Sequence, residues 1–222
     1  NTCGVDGKGV SLRGMSWFWH CWSDHLWKEK FVEQTRTKWC ATIARFAMGV
    51  TEDTNCWEFK NKDGEKGPDM TKKLVKKAIR SNLYAVVDWH IEKLMGDWRP
   101  ADNGDSPTSK YRKRAEEFWR DVLPMFGRYP NVLWETWNEP AEIPTEWKDG
   151  KQSTQWDHIR EWHKLMVPLI REHSDSIITL GNQRWSHQPD TAVPDVCQGY
   201  FGDVKNMQVT IHQYSGSSNH VE

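Results

Sequence analysis

The chain has 222 residues, with 30 Lys and Arg against 31 Asp and Glu, and it carries 15 tryptophans and 5 cysteines. That length fits one domain with a sizeable core, and a net charge of -1 gives no electrostatic ground for binding nucleic acid or an anionic membrane. No run of about 18 apolar residues occurs, so no transmembrane helix is expected, and so many flat aromatic faces in a polar chain point to stacking on sugar rings rather than bases.

In chain order, residues 5–10 read as a small hairpin, because Asp6-Gly7 suits a tight turn. Six short β-type runs follow at 11–16, 43–48, 83–88, 132–137, 177–181 and 208–213, each bounded by polar or turn residues. Helices are predicted between them. One spans 28–39. A second, 69–81, begins behind Pro68-Asp69 and carries Leu74, Val75, Ala78 and Ile79 on one face. A third, 107–127, opens on Ser106-Pro107, a capping residue followed by proline at the first helical position. A fourth, 153–173, spaces Trp156, Ile159, Trp162, Met166 and Ile170 by three or four residues, with Ser153 available as its cap. Strands alternating with helices imply parallel strands joined by crossovers, and the strand starts lie about 39 residues apart. The fold class is therefore α/β, with six βα units in a single domain over 1–222. A doubly wound sheet lacks support, because no Gly-rich phosphate loop follows any strand. Polar chemistry gathers instead at the strand C-termini, in Arg45, Asp88-Trp89-His90, Asn138-Glu139, Trp185 and His212-Gln213-Tyr214, as in a (β/α)8 barrel of the TIM type.

The five cysteines, Cys3, Cys21, Cys40, Cys56 and Cys197, form no C-x-x-C pair, which argues against a zinc ribbon or a redox motif. Their spacing assigns no bridge, and buried free thiols are at least as good a reading. His158 and His163 stand five apart and do not match a zinc helix, so no metal and no cofactor is expected. The strongest local signal is the run 129–140, which ends in Asn138-Glu139-Pro140. Strand alternation would place Leu133, Glu135, Trp137 and Glu139 on one face. A carboxyl group at the open end, walled by Trp137 and other aromatics, would keep a proton near neutral pH, as a general acid requires. The plain alternative is a surface glutamate capping a helix.

These motifs, in order, resemble glycoside hydrolase family 5 and, within it, bacterial endo-β-1,4-glucanases. Leu12-Arg13-Gly14-Met15-Ser16 with Phe18-Trp19 is similar to the first strand of that family. Residues 44–50 with Arg45 are similar to the second, residues 83–90 ending in His90 to the third, and Asn138-Glu139-Pro140 to the acid/base signature on the fourth. Residues 179–186 resemble the fifth strand with its tryptophan loop, and residues 209–214 the sixth. The resemblance implies Glu139 as general acid/base and Asn138 as a donor to the sugar 2-hydroxyl. It places Arg45 beneath the catalytic carboxylates, His90 and His212 on sugar hydroxyls, Tyr214 beside the nucleophile and Trp185 under a sugar ring. Trp19 and Trp22 are further stacking candidates, and Glu135 is a structural partner for Arg45. Residues read as ordinary are His25, His158, His163, His173 and His187, with Trp119, Trp156 and Trp162 as core.

The resemblance further implies retention, which needs two carboxyl groups about 5–5.5 Å apart. The second would be a glutamate on a seventh strand, and no Thr-Glu-aromatic-Gly motif follows Tyr214. Glu222 stands too close to Tyr214 to lie beyond another crossover, so it is rejected as nucleophile. The expectation is six of eight βα units, an incomplete barrel short of roughly 80 residues, whose open edges favour self-association. Ile91-Glu92 replaces a second histidine common in the family and leaves one distal sugar contact in doubt. The chain opens at Asn1 without a signal-peptide core, so it reads as a mature form or a fragment. The implied partner is a β-glucan such as cellulose, and the implied location is extracellular or periplasmic. The open alternatives are another β-glycanase such as a mannanase, and a non-catalytic glucan-binding fragment.

Overall fold

The structure, a computed structural model, describes residues 11–51, 55–92, 107–141, 147–148, 151–152, 154–202 and 205–213. The hairpin expected at 5–10, the cap expected at Ser153 and the predicted site residue Tyr214 lie outside them. Strands β1 (Gly14–Trp17), β2 (Ile43–Gly49), β3 (Tyr84–His90), β4 (Val132–Glu135), β7 (Ile178–Leu180) and β8 (Met207–Val209) form one sheet, all pairs parallel. The predicted strands are met within a few residues except at their C-terminal ends. The fourth stops at Glu135 and the sixth at Val209, because their exits leave the ladder to build loops. A two-stranded antiparallel hairpin, β5 (Trp147–Lys148) and β6 (Lys151–Gln152), sits in the connection after β4.

Spatial order in the sheet is β1-β2-β3-β4-β7-β8, which is also the order along the chain. A doubly wound sheet reverses direction at a switch point. This sheet never does, so every crossover advances the same way, as in a (β/α) barrel wall. Neither β1 nor β8 has a strand on its outer side among the described residues.

The helices are α1 (His20–Ser23), α2 (Glu29–Trp39), α3 (Gly67–Arg80), α4 (Pro107–Phe126), α5 (Gln155–Arg171), α6 (Gln183–Ser186) and α7 (Pro189–Cys197). Helix α3 starts with Pro68 in its first turn and buries Met70, Leu74, Val75 and Ala78, most of its predicted apolar face. Helix α5 is capped by Thr154 rather than Ser153. Thr154 Oγ1 accepts from the Asp157 N–H and Asp157 Oδ2 accepts from the Thr154 N–H, a reciprocal capping box. Strands β2 and β3 are buried along most of their length, as expected for parallel strands covered on both faces. The core between sheet and helices is aromatic. Trp89 of β3 meets Phe118, Phe118 meets Trp119, and Trp119 meets Trp134 of β4, with ring centroids 4.9–6.0 Å apart.

The cysteines settle differently from the free-thiol reading. Cys21 and Cys56 are disulfide-bonded and tie α1 to the loop after β2, while Cys40 is free and exposed. Trp137 also departs from expectation. Once β4 ends at Glu135 the alternation lapses, and Trp137 is fully buried against Trp162 of α5, 5.6 Å between centroids. It therefore does not wall Glu139.

Two positions lock the exits of β4 and β7 together. Gly181 has no room for a side chain, since an added Cβ would fall 2.1 Å from the Trp137 carbonyl oxygen. His163, buried in α5, donates from Nε2 to the Gly181 carbonyl (2.8 Å) and accepts at Nδ1 from Thr136 Oγ1 (2.8 Å). Burial holds its pKa down to about 4. His20, whose Nε2 bonds the Cys56 carbonyl, is likewise lowered to about 4 by burial.

Gly181→Ala should destabilise the chain by about 1–3 kcal/mol or more in urea unfolding, because the obstacle is backbone and cannot swing away. The histidines predict an acid limb. A depressed pKa contributes stability above the ordinary value near 6.5 that is lost as pH falls toward 4. His163→Gln keeps one donor and one acceptor without a charge to gain. Its unfolding free energy should show a pH slope lower by about one proton in that window, and an unchanged slope would refute the assignment.

Candidate active site

The C-terminal ends of the parallel strands share one end of the sheet, and a cleft of about 520 Å³ opens there. Arg45 on β2 is its centre. Its Nε donates to Glu135 Oε2 (2.6 Å), Nη1 to Ser16 Oγ (3.1 Å), and Nη2 to both Asn138 Oδ1 (2.6 Å) and Asp88 Oδ2 (2.8 Å). One guanidinium thus gathers side chains from β1, β3 and β4 and from the loop after β4. Burial works against its charge, but Asp88, Glu135 and Glu139 outweigh that and raise its pKa. Because arginine only donates, the Asn138 carbonyl oxygen must face it, which leaves the Asn138 amide to donate elsewhere.

Parallel register explains the gathering. Ser16 pairs with Arg45 in the β1–β2 ladder, and Asp88 pairs with Glu135 in the β3–β4 ladder. Positions 88 and 90 then share a face of β3. His90 Nδ1 lies 2.5 Å from Asp88 Oδ2. Burial, reinforced by Arg45, holds His90 well below the ordinary histidine value. Burial raises Glu135, with Asp88 adding to it and Arg45 opposing.

Glu139 is buried and lines the cleft, and its Oε1 lies 2.5 Å from His212 Nδ1. Its backbone N–H donates to the Ile91 carbonyl (3.3 Å), so the strand exits of β3 and β4 stay paired past the ladder. His212, beyond β8, is held by α6, a tight turn in which Arg184, Trp185 and Ser186 take left-handed φ values of 53°, 55° and 63°. Three successive non-glycine residues in that region store strain, and the turn is held from outside. Ser186 Oγ donates to the Asn138 carbonyl (2.8 Å), the Trp185 N–H to the Pro140 carbonyl (3.1 Å), and the His212 N–H to the Ser186 carbonyl (3.0 Å). Buried Asn182 adds a side-chain bond to the Thr210 carbonyl (2.6 Å). The turn therefore stitches Asn138-Glu139 to His212.

Of the predicted residues, the cleft brings together Arg45, His90, Asn138, Glu139, His212 and Trp19. Trp19 is only 5% exposed, packed with Trp22 at 5.2 Å and Phe18 at 6.2 Å, while Trp22 is 55% and Phe18 52% exposed. The open aromatic faces beside the cleft are thus Phe18 and Trp22. Trp185 is half-buried on its strained turn, outside the cleft lining. Sequence reasoning gave no role to Asp88 or Phe18, although the i, i+2 spacing of Asp88 and His90 was readable. Glu92, noted only as a departure, lines the cleft. Among the described residues no group of three or more His, Cys, Asp or Glu is arranged to hold a metal ion.

Comparisons with known proteins agree with this geometry. The chain is 28% identical over 219 residues to cellulase CelDZ1 of a Thermoanaerobacterium species, covering 96% of this chain and 49% of that one. It is 27% identical to an endoglucanase of Clostridium saccharobutylicum, covering 97% of this chain and 42% of that one. It spans about half the length of the curated relatives it matches. Among solved structures, the catalytic domain of Thermobifida fusca endoglucanase Cel5A superposes with a TM-score of 0.67 at 26% identity, over 93% of this chain and 60% of that one. A variant of that domain has been solved with cellotetraose. The strand order, helices and these neighbours make the fold a partial (β/α)8 barrel. The family model for cellulase (glycosyl hydrolase family 5) matches residues 3–222, and the chain belongs to that family.

Proposed function

We propose that these 222 residues are six βα units of a single catalytic barrel domain and carry the acid/base half of a retaining endo-β-1,4-glucanase site. The observation that carries this is Glu139, buried at the floor of an open cleft, hydrogen-bonded to His212 and set beside Asn138 on the Arg45 network. Glu139 protonates the glycosidic oxygen as the bond to the leaving sugar breaks. A nucleophilic carboxylate from a seventh strand, not among these residues, attacks the anomeric carbon, and Glu139 then takes a proton from the water that releases the sugar. The Asn138 amide donates to the 2-hydroxyl. Phe18 and Trp22 offer C–H-stacking faces beside the cleft. By the family resemblance Tyr214 supports the nucleophile.

The substrate reading, β-1,4-glucan, is supported by family membership and by the cellotetraose complex of the Thermobifida fusca variant. Action outside the cell is supported by the Cys21–Cys56 disulfide, a bond that persists in oxidising compartments. No helix among the described residues is long and apolar enough to cross a membrane.

The 222-residue chain should bind cellotetraose yet release few reducing ends from carboxymethylcellulose. Continued through a glutamate-bearing seventh strand it should hydrolyse the polymer, and Glu139→Gln should then lower kcat by about 10²–10⁴-fold. Hydrolysis indifferent to Glu139→Gln would sink the assignment. Binding without turnover in the extended chain would favour a non-catalytic glucan-binding protein, and faster turnover of mannan would redirect the substrate.

A further inference from the structure

We propose that Asp88 is a positioning residue that decides which hydrogen-bonding character His90 turns toward the cleft. With Asp88 ionised, the His90 Nδ1–H donates to Asp88 Oδ2 and Nε2 is a bare acceptor. When the pair takes one more proton, the Nδ1 proton passes to Oδ2, Oδ2–H donates back to Nδ1, and Nε2 binds a solvent proton and becomes a donor. The inference deepens the glycosidase reading and rests on it only in treating the cleft as a sugar site.

Three observations carry it. Asp88 Oδ2 is shared, receiving Arg45 Nη2 at 2.8 Å and facing His90 Nδ1 at 2.5 Å, so one oxygen couples the arginine to the imidazole. Asp88 is wholly buried and its other oxygen, Oδ1, has no partner. An ionised carboxylate with a bare buried oxygen is costly, whereas a neutral carboxyl tolerates an unpaired carbonyl far better. His90 lines the cleft and bonds Asp88 through Nδ1, which leaves Nε2 as the nitrogen a ligand can meet.

The surrounding charges balance closely enough for the pair to change state. Arg45 from β2 and His212 beyond β8 favour the ionised form, while Glu139 beyond β4 disfavours it; Glu135 on β4 also faces the group through Arg45. Burial outweighs these contributions and pushes Asp88 up to about 7. His90 stays well below its ordinary value, so the added proton settles with the carboxyl rather than as a doubly protonated imidazole. A sugar hydroxyl both donates and accepts, so the change alters the direction of a bond to His90 rather than abolishing it.

The test is a pH titration of the 222-residue chain, with ¹⁵N-labelled histidine and ¹³C-labelled aspartate, from about pH 5 to about pH 9. His90 Nε2 should pass from a protonated to a bare nitrogen with a midpoint near 7, and the Asp88 carboxyl carbon should share that midpoint. In Asp88→Asn the oxygen facing Arg45 must remain an acceptor, so Nδ1–H stays its donor and Nε2 stays bare throughout. The proposal is overturned by a wild-type Nε2 that never changes, by a His90 transition without one at Asp88, or by an unaltered transition in Asp88→Asn. The wild-type pair of signals decides the matter even should Asp88→Asn fail to fold. Added cellotetraose should perturb the His90 Nε2 signal. Its failure to do so, with the coupled midpoints intact, counts against the sugar reading and leaves the switch standing.

Discussion

A half-buried guanidinium is the constraint on which the site depends. Arginine keeps its charge at any working pH and offers only donors, so each neighbour within reach must accept. Arg45 finds acceptors on Ser16, Asp88, Glu135 and Asn138. Removing Arg45 would leave its carboxyl partners uncompensated, a penalty on the order of 3–5 kcal/mol. The strands are therefore tied at their functional ends by one residue, in addition to the backbone ladders along their length. The arrangement also leaves an excess of buried carboxyl groups over cations. Asp88, Glu135 and Glu139 surround one permanent positive charge, and proton occupancy in the cluster has to make up the difference.

The remaining rigidity comes from chain exits rather than strands. Ladder pairing ends at Glu135 in β4, at Leu180 in β7 and at Val209 in β8, yet Asn138 and Glu139 lie beyond the first of these ends and His212 beyond the last. Their placement rests on close backbone approach at Gly181, on the His163 bridge between the two exits, and on the strained turn at Arg184–Ser186. Strain of this kind persists only where surrounding bonds over-determine it. Here Ser186 and Asn182 supply them. A loop held so firmly can keep a carboxyl and an imidazole 2.5 Å apart without a strand beneath either one.

Much of this was legible in the sequence, for identifiable reasons. The six parallel strands announced themselves as short apolar runs between amphipathic helices, because burial on both faces requires such runs. His90, Asn138, Glu139 and His212 were readable because each ends or follows a strand, and strand ends converge in this fold, whereas Arg45, expected at a strand end, is the third residue of β2. What escaped was fixed by packing. Trp137 was assigned to the cleft by alternation, but alternation holds only while the ladder does, and two residues past its end the indole packs on Trp162 instead. Trp19 was read as an open platform, yet it is covered by its neighbours, and Phe18 holds the exposed face. The Cys21–Cys56 bond depends on how the loops after β1 and β2 fold together, which spacing does not encode.

The tryptophans show how a polar chain can support so aromatic a core. Each buried indole brings an N–H that usually finds an acceptor. Trp17 and Trp27 donate to the carbonyls of Leu26 and Phe18, Trp162 to that of Thr136, Trp134 to Ser174 Oγ and Trp156 to Asp195 Oδ2. These bonds do more than satisfy the donors. Trp162 fixes the carbonyl of Thr136, the residue from which the Asn138-Glu139 segment departs, and its ring packs Trp137 at the same point. Trp27 fixes the carbonyl of Phe18 and so orients the aromatic edge of the cleft. Three indoles, Trp89, Trp119 and Trp137, have no acceptor for their N–H, and each lies against other aromatic rings. A ring face is a weak acceptor, so these three favour apolar contact over a hydrogen bond. They sit on or beside β3, β4 and α4; β3 ends in His90, and β4 leads into the loop that holds Glu139. The dense aromatic packing beneath those residues is what the chain gains by leaving the donors unmet.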